Sequence, residues 1–140
     1  MNVLIDTNVI IDVMIQREPY FENSKFVLFA SERKYINGYV SASSVTDIFY
    51  IINKSLKNKK TVCDLLKKHF IGAINIAAVD GDVIFRALNA EWEDFEDCVQ
   101  YIAGESIFAD YIVTRNPKDF VKSNIKIVTP EELLDIIAPE

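Results

Sequence analysis

The sequence predicts an α/β fold in which a central, mostly parallel sheet of five strands is flanked by helices. Short apolar runs recur at Asn2–Ile5, Ile36–Val40, Ile74–Val79, Tyr111–Val113 and Ile125–Val128, and helical patterns fill the intervals between them. Strands separated by helices imply parallel neighbours covered on both faces. No linker, repeat or low-complexity tract breaks the alternation, so residues 1–140 are expected to form one domain.

Each element has its own reason. Val3, Leu4 and Ile5 make the first buried strand, and Asp6 ends it, followed at once by Thr7, Asn8 and a helical pattern. Between Phe21 and Lys34, the apolar positions Phe21, Phe26, Phe29 and Ala30 lie among charges in a second helical segment. Val45, Ile48, Phe49, Ile52 and Leu56 then follow i, i+3, i+4, i+7, i+11, the stripe of a helix with one face in the core. Trp92, Phe95, Val99 and Ile102 give another core-facing stripe, and Pro130 before Glu131 and Glu132 opens a last helix through Leu133, Leu134 and Ile137.

A chain of 140 residues can bury roughly 68% of its unfolded surface, and 50% hydrophobic residues with only four Gly and four Pro exclude a disordered chain. Cys63 and Cys98 form no C-x-x-C pair and each falls inside a helical pattern, so a reduced, cytoplasmic setting is expected. The first apolar stretch has no preceding Lys or Arg and is interrupted by Asp6 and Asp12, and nowhere do eighteen apolar residues run together. Neither signal peptide nor membrane span is expected. A net charge of -6 argues against a sequence-independent binder of duplex DNA. That charge is uneven: Lys54 to Lys68 holds six lysines against the single acid Asp64, so it carries +5 and the remainder -11. A solvated helix pair is the plain reading and a phosphate-facing strip the other.

In parallel sheets the ligand site lies beyond the carboxyl ends of the strands, which selects polar residues that follow strands. Asp6 qualifies, although it, Thr7 or Asn8 would equally cap the next helix. Asp47 qualifies too, although Ser44 to Asp47 matches a capping box. Against that, Tyr50 and Ile51 flank Asp47 around the helical wheel, which makes its acid less obviously a solvent residue. Glu91, Glu93, Asp94, Glu96 and Asp97 crowd a helix start, where the helix dipole favours acids. Asp94 and Asp97 are three apart and so share a face, at a cost of a few tenths of a kcal/mol that a bound cation reverses. Thr114, Arg115 and Asn116 end the fourth strand, where Asn116, Pro117 and Asp119 also read simply as a helix start. Carboxylates gathered from such positions raise one another's pKa unless a divalent ion sits among them.

Four segments, IDTNVIIDV, the acid in VTDIFYII, FEDCVQYIAG and ADYIVTRNPKDF, in this order, resemble the PIN-domain family, in particular the VapC-like ribonuclease toxins and their relatives. The resemblance implies a Rossmann-like PIN fold with a Mg²⁺ or Mn²⁺ dependent nuclease site. Asp6 matches the first metal-binding acid, and Asn8 the amide that steadies it. Asp47 falls at the second acidic position, where relatives more often carry the longer Glu. Asp97 matches the third, with Asp94 one turn earlier as an auxiliary carboxylate. Asn116 stands where many relatives have a fourth acid, and Asp119 is the acid available nearby. Thr114 matches a hydroxyl residue bordering the site. An antitoxin partner and a homodimer are implied as well.

The expected reaction is hydrolysis of a phosphodiester in single-stranded RNA by an ion-activated water, with Asp6, Asp47, Asp97 and Asp94 as the catalytic set and Asp6, Asp47, Asp97 and Asp119 as the metal set. Arg115, Lys118 and the lysine strip are the candidates for attracting substrate phosphate. Two other readings compete. A PIN-like module that binds RNA or protein without efficient cleavage is favoured by Asp47 and Asn116 in place of the usual acids. Phosphoryl transfer by an aspartyl nucleophile also uses an Asp after a first strand, but Asn8 stands where the dehalogenase type needs a second acid.

Overall fold

The computed structural model describes residues 1–138. Strands β1 (Asn2–Ile5), β2 (Asn37–Ser41), β3 (Asn75–Ala77), β4 (Tyr111–Val113) and β5 (Lys126–Val128) pair in the order β3-β2-β1-β4-β5. All four pairings are parallel, so the expected mostly parallel sheet is entirely so among the described residues. Around it lie α1 (Thr7–Met14), α2 (Phe21–Glu32), α3 (Ala42–Leu56), α4 (Lys59–Phe70), α5 (Gly81–Ala90), α6 (Phe95–Ser106) and α7 (Pro130–Ile137), with a 3-10 turn over Pro117–Phe120.

Strand alternation divides the core into two layers. Val3, Ile5, Val40 and Val113 point to one face of the sheet and pack with residues of α1, α2, α3, α4 and α7. Leu4 and Ile112 point to the other and pack with α5, α6 and Phe120. Val3, Leu4 and Ile5 are all fully buried, as the central strand of a covered sheet must be. At about 1.5–3 kcal/mol per buried aliphatic side chain, this strand is a main source of stability.

The elements depart from expectation in three places. In α2 the buried face runs through Ser24, Val27, Leu28, Ala30 and Ser31, leaving Phe26 and Phe29 nearly half exposed. Ser31 faces inward because α2 approaches β2 closely there. Gly38 has no room for a Cβ beside Ser31, whose hydroxyl accepts from the Gly38 amide and donates to the Ala73 carbonyl. Trp92 precedes α6 instead of belonging to it, yet its ring stacks on Tyr101 at 4.9 Å and meets Phe120 edge-on at 6.1 Å. The segment after β4 closes as one 3-10 turn and not as an α-helix. Among the described residues no helix is long and apolar enough to cross a membrane, and Cys63 and Cys98 are free thiols in α4 and α6.

Candidate active site

The chain builds β1, β2 and β3 outward in one direction, then returns to lay β4 against the other edge of β1. Loops leaving β1 and β4 therefore diverge, and the crevice between them is the expected ligand position. A cavity of about 400 Å³ opens there, lined by Asp6, Asn8, Asp47, Glu96, Asp97, Asp119 and neighbouring residues. Five carboxyls face this space, and no lysine or arginine lines it.

Asp6 occupies the N-cap position of α1 but makes no capping bond with its side chain. Instead its Oδ1 accepts from Gln100 Nε2 at 3.0 Å and its Oδ2 from Thr114 Oγ1 at 2.7 Å. Capping is therefore not what holds this acid. It is 5% exposed, and burial raises its pKa above the ordinary aspartate value, while the bonds from Thr114 and Gln100 oppose that rise. Gln100 also accepts from the Thr7 amide at 3.3 Å, so one side chain of α6 fixes both Asp6 and the start of α1. Thr114 in turn accepts from the Asn116 amide at 3.0 Å.

Asp47 sits in the second turn of α3. The helix is capped by Ser41, whose side chain accepts from the Ser44 amide, so Ser44 and Asp47 do not form the capping box that their spacing allows. Ser44 serves the site differently. Its hydroxyl accepts from Thr7 Oγ1 at 2.7 Å and lies 2.8 Å from Ser41 Oγ, tying α1 to α3 behind the acids.

Asp94 caps α6 by accepting from the Asp97 amide at 2.9 Å. That bond turns Asp97 into the cavity, where its pKa is pushed up to about 7 by burial and then by repulsion from Asp6, Asp94, Asp119 and Glu96. Glu96 is raised as well, first by sharing a hydrogen bond with Asp47, then by burial and by the charges of Asp47 and Asp94. Glu96 of α6 and Asp47 of α3 thus oppose each other in the cavity.

Of the residues the sequence singles out, Asp6, Asn8, Asp47, Asp97 and Asp119 line this one cavity. Asp94 and Lys118 line a second cavity of about 400 Å³ that shares Asp97 and Asp119 and adds Lys122, so the two form one trench. Thr114 stands behind Asp6, and Asn116 takes the N-cap position of the 3-10 turn without a capping bond. Arg115 departs from expectation. Its Nε donates to Asp12 Oδ2 at 2.7 Å and its guanidinium stacks over Tyr20 at 4.3 Å, facing a different cavity beside Pro130. It is engaged by a buried carboxylate and does not face the acids.

Gln100, Glu96 and Ser44 were not identified from sequence as site residues. Gln100 was detectable in principle, because it lies three residues after Asp97 on the same helix face. Fitness for a divalent cation rests on the donors that line the cavity. Every polar side chain lining the cavity offers oxygen, which suits a hard ion. Asn8 Oδ1 is buried without a donor, leaving it free to orient water or a ligand. Among the described residues, however, no three His, Cys, Asp or Glu side chains stand together as a closed ion-binding group. The acids surround the space without converging on one point.

Comparison with known proteins agrees with this fold. A family model described as PIN domain matches residues 2–118. Among solved structures, a toxin-antitoxin complex from Klebsiella pneumoniae has a TM-score of 0.66 at 22% identity, covering 91% of this chain and 97% of its own. VapBC2 from Rickettsia felis, bound to a DNA fragment from its promoter, has a TM-score of 0.65 at 18% identity, covering 92% and 98%. The sarcin-ricin loop cleaving toxin VapC20 of Mycobacterium tuberculosis has a TM-score of 0.63 at 11% identity, covering 79% and 86%. No curated protein matches. With a matching model that spans most of its length, the chain belongs to the PIN-domain family.

Proposed function

We propose that this protein is a Mg²⁺ or Mn²⁺ dependent endoribonuclease acting on single-stranded RNA. The observation that carries the reading is the cavity at the switch between β1 and β4, where five carboxyls face one space with no basic residue among them. A bare cluster of this kind is costly: burial and mutual repulsion hold Asp97 at about 7. A divalent cation removes that cost, and acids that raise one another's pKa in a cleft are a functional arrangement.

Asp6, Asp47 and Asp97 would hold the ion, with Asp119 reaching it from the 3-10 turn. When bound, the ion supplies the charge that makes water nucleophilic near neutral pH and offsets charge gathering on the phosphate. The protein's own part is positioning. Gln100 and Thr114 fix the Asp6 carboxylate, Asp94 aims Asp97 by holding its amide, and Glu96 meets the short Asp47 side chain from across the cavity. Lys118, in the adjoining cavity, is a cation available there for a substrate phosphate. A role as the toxin of a toxin-antitoxin pair, with an antitoxin partner, is supported by the neighbours that are such complexes, while a homodimeric state rests on the family resemblance and a cytoplasmic location on the two free thiols.

Asp6→Asn and Asp97→Asn are expected to lower Mn²⁺-dependent cleavage of single-stranded RNA by at least about 100-fold with circular dichroism unchanged, since even the groups supporting a metal's ligands are worth about 10–100-fold. Undiminished cleavage by both variants refutes the assignment. A second reading, binding without cutting, is favoured by the spread of the acids and by Asn116 at the fourth acidic position. Calorimetry separates them, because a non-cutting module gives no site-specific Mn²⁺ heat.

A further inference from the structure

We infer that the outward face of α3 is a track for the RNA strand leaving the acidic cavity, with Tyr50 stacking on a base beside the reacting phosphate and Lys54 meeting the next phosphate. This rests on the nuclease reading and adds the means by which an acidic site retains a polyanion.

Asp47, Tyr50, Ile51 and Lys54 are spaced i, i+3, i+4, i+7 and so form one stripe along α3. The opposite face, through Ile48 and Ile52, carries the core contact at 0% and 1% exposure. Tyr50 is 66% exposed and Ile51 39%, and both line the cavity. Lys54 follows about 10 Å beyond Asp47 along the helix axis at 1.5 Å per residue. Among the described residues Lys54 has no ion-pair partner, whereas Lys60 on α4 is held by Asp64 at 3.0 Å. Its ammonium is free to meet a phosphate.

The Tyr50 ring meets Phe49 edge-on at 5.7 Å and leaves most of its surface open to a base. Every nucleobase has a stacking face, and sequence-tolerant single-strand binding combines such rings with cations that follow the backbone. The trench already offers Lys118 and Lys122 on its other side. A strand can thus run from those lysines, past the acids, to Tyr50 and Lys54. A protein partner would need roughly 800 Å² on this side, more than two apolar residues bounded by a lysine provide.

The test measures kcat and KM in Mn²⁺, and fluorescence anisotropy in Ca²⁺, with a labelled single-stranded RNA of mixed sequence. Tyr50→Ala is expected to raise KM and weaken binding about 5- to 100-fold. Tyr50→Trp should restore both. Lys54→Ala should weaken binding and lower the log–log salt slope by about 0.7, the value for one phosphate on a single strand. Phe108→Ala, an exposed ring just past the carboxyl end of α6, should change neither, because the amino end of that helix is the end at the site. Cleavage with a KM insensitive to Tyr50→Ala overturns the track alone. An altered sedimentation coefficient in Tyr50→Ala with unchanged RNA affinity also overturns it, marking the face as a protein contact. Tyr50-dependent binding without cleavage by the wild type supports the track and overturns the nuclease reading. Neither binding nor cleavage overturns both.

Discussion

Asp6 and Asp12 lie at the two ends of α1, both buried, and their surroundings are opposites. Asp12 is 0% exposed and is met by Arg115 at 2.7 Å and Arg17 at 3.6 Å. Asp6 receives only neutral donors, Gln100 and Thr114, and faces Asp97 and Asp119. A buried carboxylate with arginines is satisfied by the fold. One surrounded by other carboxylates is a charge that the fold leaves for something else to balance, and this separates a structural ion pair from a site.

The contrast predicts opposite responses to the same change. Asp12→Asn leaves the Arg115 guanidinium beside a neutral amide, and unpairing a buried charge costs about 3–5 kcal/mol. For a chain of this size that is a fall of roughly 10–17 °C in melting temperature, while activity per folded molecule persists. Differential scanning calorimetry with active-site titration separates the two, and a loss of specific activity in proportion to Asp12 substitution would erase the distinction. Thr114→Val, which removes one donor holding Asp6, is expected to reduce turnover about 10- to 100-fold with a smaller effect on stability. Retained turnover would show that Gln100 alone suffices.

The smallest effect is in pH. Asp97 has a folded pKa of about 7 against an ordinary value of 3.8, so between these the folded protein keeps a proton that the unfolded chain has released. The stabilisation from this group is complete below about pH 4 and is lost as pH rises through 7. The ion-free protein should therefore melt higher at pH 5.5 than at pH 8, by a few degrees at most because Asp97 is only partly buried and open to solvent screening. Asp97→Asn should reduce this dependence, and Mn²⁺ at pH 8 should reverse it. Melting that rises with pH over this range would contradict the repulsion argument.

Much of this was legible from residues alone because the signals were periodic. The apolar runs located all five strands to within one or two positions, and their alternation with helices gave the parallel sheet. Asp6 and Asp47 were legible because the strand-end rule needs only order along the chain, whereas Asp97, on α6 and preceded by α5, was marked by the acids crowding a helix start and by the family resemblance. The role of Arg115 was not, because whether it turns toward Asp12 or toward the acids is decided by tertiary contact with Tyr20 and not by sequence distance. Glu96 was hidden for a similar reason. At a helix start crowded with acids, nothing in the order of residues tells which one meets Asp47 from the neighbouring helix.

The placement of β1 at the centre of the sheet has a consequence for the protein as it is made. Asp6 leaves the ribosome well before the strand beside it, β4, and the hydroxyl that holds its carboxylate, Thr114, which come more than a hundred residues later. Until that stretch has been translated, no nascent fragment can assemble the pocket. A chain interrupted before Thr114 thus lacks both the strand that flanks Asp6 and the donor that fixes its carboxylate, so the proposed site is a property of the closed sheet and not of its first strand.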